Sequence, residues 1–471
     1  MDGHPLNSFR KGIAIAGLRG GSGKTLISLG LLAAFVRRGL SIAPFKKGPD
    51  YIDPAWLSLA AGRECHNLDT YLLDERTVIS SYLSRNNECT YALVEGNRGL
   101  FDGFDIEGTY SFASLAKVLG IPVVIVVDSA KSSRTAAALV RGCQVFDPDL
   151  AVRGVILNRV AGERHRSVAA GAIEKYCGIP VLGAVSRIPG LDLSERHLGL
   201  FPVQEHPDPR RSIDMVVSAM ESAVDIDGII ALMDRYEYPT RSVEAGALSM
   251  ERHEPETSAS APAVGVIRDS AFNFYYPENL SALTGHGARL VFIDALKDKA
   301  LPDVGALYIG GGFPETHARA LADNESLRND IRAAVERGLP VYAECGGLEY
   351  LSETLEVEGT RYPMAGVFPL RFSLSKKPQG HGYTAFTVDA DNPYFPRGTA
   401  VRGHEFRYSR LTESPAGIRT AFRMDRGTGL AGGRDGIMHK NVLATFCHTH
   451  ALGANVAWPG NLVALARERK K

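Results

Sequence analysis

Short apolar runs alternate with longer stretches of helical period through most of the chain. Ile13-Ala14-Ile15-Ala16 leads into a glycine turn and then a helical pattern over 26–38. A second short strand is expected at 40–45, and 92–94, 123–127 and 152–157 are further apolar runs. Such runs are too short for helices and suit strands buried on both faces. Helical patterns at 111–119, 133–144 and 165–177 separate them, which predicts an α/β, doubly wound parallel sheet. Residues 211–234 read as one amphipathic helix with Ile213, Val216, Val217 and Met220 on one face. A second alternating series follows, with strands at 264–267, 289–293, 306–309 and 339–343 and a helix at 327–337. Between the two series, 236–262 is rich in Pro, Ser, Glu and Arg without apolar period, the composition of a linker. The expected domains are 1–235 and 263–471.

A chain of 471 residues is too long for one ordinary core, in line with that division. Lys plus Arg equals Asp plus Glu at 53 each, so no global field points to nucleic acid or to a membrane surface. The longest apolar run, 121–127, is too short to span a bilayer. Six scattered cysteines form no Cys-x-x-Cys pair, which argues against a zinc site or disulfide framework. No signal peptide is expected, and the setting that fits is a reducing cytoplasm.

The turn after the first strand reads Gly17-Leu18-Arg19-Gly20-Gly21-Ser22-Gly23-Lys24-Thr25. Strand, glycine-rich turn and helix form the setting of a phosphate-cradling loop. Backbone N–H groups of Gly21, Ser22 and Gly23 would surround phosphate oxygens, Lys24 would bridge the outer phosphates, and the Thr25 hydroxyl would bind magnesium. The first glycine, Gly17, comes one residue earlier than the general pattern. Lys46-Lys47-Gly48-Pro49-Asp50-Tyr51-Ile52-Asp53-Pro54 places two acids in a Gly/Pro-rich loop at a strand end. There they would coordinate magnesium or support it, or serve as turn residues. Glu95 ends another strand as a further candidate ligand, and Asn158 ends a third, where it would read an adenine edge or cap the strand.

In the second half, the strand at 339–343 runs into Glu344-Cys345-Gly346-Gly347. Cysteine on a sharp strand-to-helix turn has the form of a nucleophile elbow. The Gly346 N–H, with one from the Gly310-Gly311-Gly312 loop (Gly311 at its centre), would form an oxyanion hole. A base is needed, and Cys447-His448-Thr449-His450 offers His448 first and His450 second. Cys447 reads as structural. Gly380-His381-Gly382-Tyr383 and 402–409 read as loops or strand ends that bind an anionic substrate or serve packing.

The ordered set of motifs resembles the cobyrinate a,c-diamide synthase family. It comprises the phosphate loop with early Gly17, 44–54, Glu95-Gly96, Gly99-Leu100-Phe101-Asp102-Gly103, Gly310 to Glu315, Cys345-Gly346-Gly347 and Gly403-His404-Glu405-Phe406. The loop spacing is also similar to that of dethiobiotin synthetases, and the second half looks like a class I, triad-type glutamine amidotransferase domain. The resemblance implies a glutamine-hydrolysing, ATP- and magnesium-dependent ligase that amidates acetate carboxylates of a tetrapyrrole through an acyl phosphate. It implies Lys24 and Lys46 at phosphates, Thr25, Asp50, Asp53 and Glu95 at magnesium, and Asp102 near the substrate carboxylate. Departures are Lys47 and Arg98, cations where the family usually carries apolar residues, which puts them at a substrate. They keep sirohaem, sirohydrochlorin or nickel-sirohydrochlorin open as the macrocycle. Many class I enzymes carry a glutamate two residues after the histidine; here His450 stands there. Homodimer formation stays open, and a nucleotide-switched regulator with a glutamine-sensing domain is the reading from another class.

Overall fold

The computed structural model describes residues 11–86, 89–191, 195–196, 199–236, 261–413 and 417–469. The chain divides into two compact units, Met1–Leu248 and Ser249–Lys471. The linker expected at 236–262 lies almost wholly outside the described residues.

The first unit carries β1 (Lys11–Gly17), β2 (Ile42–Lys47), β3 (His66–Leu68), β4 (Tyr91–Glu95), β5 (Val123–Asp128), β6 (Val152–Val160) and β7 (Val181–Ser186). They form one sheet in the order β3-β2-β4-β1-β5-β6-β7, with every pairing parallel. Their near-continuous Val, Ile and Ala content follows from burial on both faces. Covering helices are α1 (Lys24–Arg37), α2 (Ile52–Ala61), α3 (Glu75–Asn86), α4 (Phe112–Leu119), α5 (Arg134–Phe146), α6 (Glu163–Cys177), α7 (Pro209–Ala223) and α8 (Ile226–Arg235). A ribbon of β8 (Glu195–Arg196) and β9 (Gly199–Leu200) precedes α7. The chain order reverses around β1, so the carboxyl ends of β2, β4, β1 and β5 border one crevice, the usual ligand position in such sheets.

Two local expectations change. Asp53 and Pro54 lie in the first turn of α2 rather than in a loop, because Asp50 Oδ1 accepts from the N–H groups of Ile52 (3.0 Å) and Asp53 (3.1 Å) and caps the helix. The single helix expected at 211–234 is two. Val224 is extended and bridges Gly183, and Asp225 donates its N–H to Leu182 O. Asp225 Oδ1 then accepts from Gly228 N at 2.8 Å and starts α8. The competing strand-edge hydrogen bonds outweigh helical propensity there.

The second unit contains β10 (Ala263–Ile267), α9 (Pro277–Gly285), β11 (Arg289–Ile293), β12 (Ala306–Ile309), α10 (Ala318–Asp323), α11 (Glu325–Glu336), β13 (Val341–Glu344) and α12 (Gly346–Leu351). There follow β14 (Thr354–Val357), β15 (Thr360–Pro363), β16 (Arg371–Leu374), β17 (Gly380–Val388), β18 (Ala400–Arg407), β19 (Ser409–Glu413), β20 (Thr420–Arg426), β21 (Arg434–His439), β22 (Val442–Thr445) and α13 (Trp458–Arg469). The main sheet runs β11-β10-β12-β13-β22-β21-β20-β17-β18, parallel as far as β22 and antiparallel beyond it. A small sheet, β15-β14-β16-β19, stands beside it. Of the two readings for the motifs at 380–383 and 402–407, strand ends is the one that holds: they open β17 and close β18, which pair with each other. One apolar cluster, with Leu307, Ala343 and Leu348, packs with α11 and α12; another, with Tyr308, Tyr342 and Trp458, packs with α9 and α13. The parallel core is thus covered on both faces. Among the described residues no helix is long and apolar enough to cross a membrane.

Candidate active sites

In the first unit, the loop after β1 turns through two left-handed glycines, Gly21 (φ 69°) and Gly23 (φ 92°). A side chain at Gly23 would place its Cβ 2.0 Å from Asn158 Nδ2, so glycine is required there. Asn158, at the end of β6, donates to Ser22 O at 2.9 Å, and its Oδ1 accepts from Arg159 N. It is buried and holds the loop rather than presenting its amide outward. Ser22 Oγ donates to Arg19 O at 2.7 Å. Lys24 folds back, with Nζ 2.8 Å from Arg98 O and 3.3 Å from Arg19 O. Burial first, and then the charge of Lys46, push the Lys24 pKa down.

Beside this loop a buried charge cluster forms. Lys46 Nζ stands 2.5 Å from Asp53 Oδ2, 2.7 Å from Glu95 Oε1 and 3.8 Å from Asp50. Thr25 Oγ1 donates to Glu95 Oε1 at 2.8 Å and lies 3.4 Å from Asp53 Oδ2. Burial opposes the Lys46 charge, but Asp53 and Glu95 outweigh it and the ammonium's pKa is pushed up. Burial, then Asp53, lift Asp50 to about 7, and burial raises Glu95. Asp102 Oδ2 accepts from Gly99 N at 2.8 Å, and Leu100 N donates to Gly17 O, which pins the 99–103 loop against the phosphate loop.

Lys47, expected at a substrate, lies instead buried, 3.6 Å from Asp69. Successive strand residues point to opposite faces, so Lys46 and Lys47 cannot both reach the phosphate side. Arg98 is exposed in a left-handed conformation (φ 39°). Sequence reasoning gave no role to a cluster at the ends of β5 and β6. There Arg19 and Arg159 reach Asp128 at 2.9 and 2.8 Å. Burial opposes the Asp128 charge, but the Ala130 N–H, Arg19 and Arg159 outweigh it and lower its pKa.

In the second unit, Cys345 follows β13 and caps α12 with φ 48° and ψ −105°, a strained conformation for a non-glycine residue and the form of a nucleophile elbow. Its N–H donates to Thr445 O at 2.7 Å, and Sγ lies 3.7 Å from Phe406 O. Burial, then Glu349, push the thiol well above its ordinary pKa, so it rests protonated and needs a base. Gly310 N–H already donates to Tyr275 Oη at 2.8 Å. A Cβ at Gly346 would come within 3.2 Å of Gly312 N, so the start of α12 packs tightly against the 310–312 loop beside the elbow.

The two histidines have different surroundings. A Cβ at Gly311 would lie 2.5 Å from His448 Cε1 and 3.2 Å from its Nε2, so the ring edge rests on this loop. His448 Nδ1 faces Glu344 Oε2 at 3.6 Å, and the ring stacks on His404 at 4.8 Å and 16°. His450 Nδ1 accepts from Leu452 N at 3.2 Å, and Nε2 lies 3.4 Å from Glu278 Oε2. The Tyr276 ring lies 4.6 Å away.

Residues 263–456 match the family model of the CobB/CobQ-like glutamine amidotransferase domain, and 13–200 match that of the CobQ/CobB/MinD/ParA nucleotide binding domain. A "Cobyrinate a,c-diamide synthase" of Magnetococcus marinus is 41% identical over 97% of this chain and 97% of its own. Those of Archaeoglobus fulgidus and Methanosarcina acetivorans are 40% identical (93% of this chain, 94% of theirs) and 37% identical (93% and 92%). The chain belongs to the cobyrinate a,c-diamide synthase family.

As a member of that family it is a glutamine-dependent, amide-forming ligase with an ATP-binding P-loop unit and an amidotransferase unit. A solved structure described as "Crystal structure of glutamine amidotransferase" is 20% identical over 44% of this chain and 95% of that one, at a TM-score of 0.30, too distant to add to the assignment. Sequence reasoning had passed over Glu278 and Asp69. Neither carries a motif, and only the fold brings each to its partner.

Proposed function

We propose that this chain amidates acetate carboxylates of a cobyrinate-type tetrapyrrole, with ATP to activate the carboxylate and glutamine as the nitrogen source. The observation that carries the first half is the cluster of Thr25, Lys46, Asp53 and Glu95 at the carboxyl ends of β2 and β4, beside the phosphate loop. Among the described residues no group of three or more His, Cys, Asp or Glu side chains is arranged to hold a metal by itself. Magnesium does not require one, since it keeps waters and takes one or two carboxylates plus phosphate oxygens. The residues fit: Glu95 Oε2 is buried without a hydrogen-bond partner, and the Thr25 hydroxyl lies beside the Glu95 and Asp53 carboxylates. Bound there by Thr25, Asp53 and Glu95, with Asp50 nearby, magnesium would offset phosphate charge.

The chain's own cations do the rest. Lys24 and Lys46 lower the repulsion between the γ-phosphate and the incoming carboxylate. The carboxylate oxygen attacks phosphorus, ADP leaves, and ammonia then displaces phosphate from the acyl phosphate to give the amide. Asp102, pinned at Gly99, borders the substrate carboxylate, and Asn158 keeps the loop in its phosphate-binding shape.

In the second unit, Cys345 passes its thiol proton to His448 Nε2 as sulfur bonds to the glutamine side-chain carbonyl carbon. The oxyanion is met by N–H groups of Gly346 and the 311–312 loop. Collapse breaks the C–N bond, the His448 proton leaves with ammonia, and water activated by the same histidine releases glutamate. His450, whose Nδ1 accepts from Leu452 N and whose Nε2 faces Glu278, is left out of proton transfer.

Exposed Arg98 favours one second reading, a more acidic sirohydrochlorin-type macrocycle. One experiment tests both: incubation with ATP, glutamine and each tetrapyrrole, followed by mass analysis. Each carboxylate converted lowers the mass by about one unit, since OH becomes NH₂ in acyl transfer. Cys345→Ala should abolish glutamine-dependent product while ammonium salts still support it. If no tetrapyrrole stimulated ADP formation or changed mass, the proposal would fail.

A further inference from the structure

We infer that Glu344 is the positioning carboxylate for His448, in place of the acid that triad enzymes carry two residues after the histidine. The inference rests on the reading of His448 as the base. In this chain the position two residues on is His450, whose nitrogens face Leu452 N and Glu278. The carboxylate arrives from another strand. β13 and β22 are parallel neighbours with Glu344 opposite Thr445, and His448 follows three residues beyond Thr445. This places the residue before the nucleophile against the ring of the base.

Glu344 and His448 side chains are each 1% exposed, and Oε2 lies 3.6 Å from Nδ1. That is longer than a hydrogen bond, as catalytic contacts often are before substrate binds. The carboxylate is held in place. Tyr308 Oη donates to Oε2 at 3.1 Å, while Thr449 N and Oγ1 reach Oε1 at 3.1 and 3.3 Å. Trp458 Nε1 in turn donates to Thr449 Oγ1 at 3.0 Å. Every one of these donors is neutral, so none of them competes as a cation with the imidazolium that forms when His448 takes the thiol proton. The ring is also oriented by its neighbours. His404 stacks on one face, and burial first, then His448, keep His404 uncharged. Gly311 meets the Nε2 edge, so Nδ1 alone is turned to Glu344. A proton on Nδ1, held by Glu344, leaves Nε2 as the basic nitrogen on the side of the Gly311 loop.

The test uses the full-length chain with Glu344→Gln, Glu344→Asp and His448→Ala. Glutaminase activity is followed by ammonia release, and ligation with an ammonium salt serves as the control for folding. Glu344→Gln is expected to lower glutaminase kcat by roughly 10²–10⁴-fold, as loss of a triad acid does. KM for glutamine should change by no more than about threefold, because the carboxylate does not touch substrate. Glu344→Asp retains the charge and should recover about tenfold of the loss. Glutaminase within about fivefold of the parent in Glu344→Gln, with His448→Ala inactive, would overturn the role of Glu344 and leave the base in place. Parent-level activity in His448→Ala would overturn both. Should Glu344→Gln fail to fold, Glu344→Asp decides: a fall in kcat at constant KM supports the role, and a matched rise in KM refutes it.

Discussion

Lys46→Met would remove one charge from the interior of the first unit while keeping a similar apolar stem. Lys46 is 2% exposed, and the glutamate it pairs with, Glu95, is fully buried. Asp53 and Asp50 retain some contact with water, at 15% and 30%. Removing one partner of a buried pair costs about 3–5 kcal/mol, because the other charge is left uncompensated. Only Glu95 meets that condition in full, so the lower end, about 3 kcal/mol, is expected. For a unit of this size that corresponds to a fall in melting temperature of roughly 6–12 °C. The loss should depend on pH, and its sign is set by the carboxyls. Asp50 already sits at about 7, above its unfolded value, so its stabilising contribution is present at low pH and lost as pH rises toward 7. Lys46 lowers the pKa of both Asp50 and Glu95, and without it both move further up. The variant then escapes by taking up protons in acid but not in base. Scanning calorimetry in chelator should therefore show the gap between parent and variant widest near about pH 8 and narrowing toward about pH 5. A gap below about 1 kcal/mol at the alkaline end, or one that widens in acid, would refute the description of this cluster.

Gly23→Ala adds a Cβ at φ 92°, 2.0 Å from Asn158 Nδ2. Strain of about 1–3 kcal/mol, and displacement of Asn158 from Ser22 O, should weaken ATP binding by about tenfold or more in titration calorimetry. Unchanged affinity would refute the bracing role of Asn158. His448→Ala should lower glutaminase by about 10²–10⁴-fold. His450→Ala should mainly reduce stability, by about 1–3 kcal/mol, since it leaves Glu278 buried without that partner. The reverse order would assign the base to His450.

The sequence alone determined both alternating β/α series, the phosphate loop, the cysteine elbow and the family. These rest on local rules: apolar runs for buried strands, glycines for turns, and helices that start where the turn ends. It named both lysines at 46 and 47 and both histidines at 448 and 450, and ranked His448 above His450, but not what each member of a pair would face. Adjacent strand residues point to opposite faces, which the tertiary structure resolves by placing Lys46 on Asp53 and Glu95 and Lys47 on Asp69. The histidines are divided by Leu452 and Glu278 on one side and by Gly311 and Glu344 on the other. The break between α7 and α8 also lay outside its reach, since a hydrogen bond from Asp225 to Leu182, far back in the chain, decides it. Glu344 was visible only as a neighbour of Cys345. Its meeting with His448 depends on β13 lying beside β22, strands about a hundred residues apart, and that pairing is made by the packed sheet.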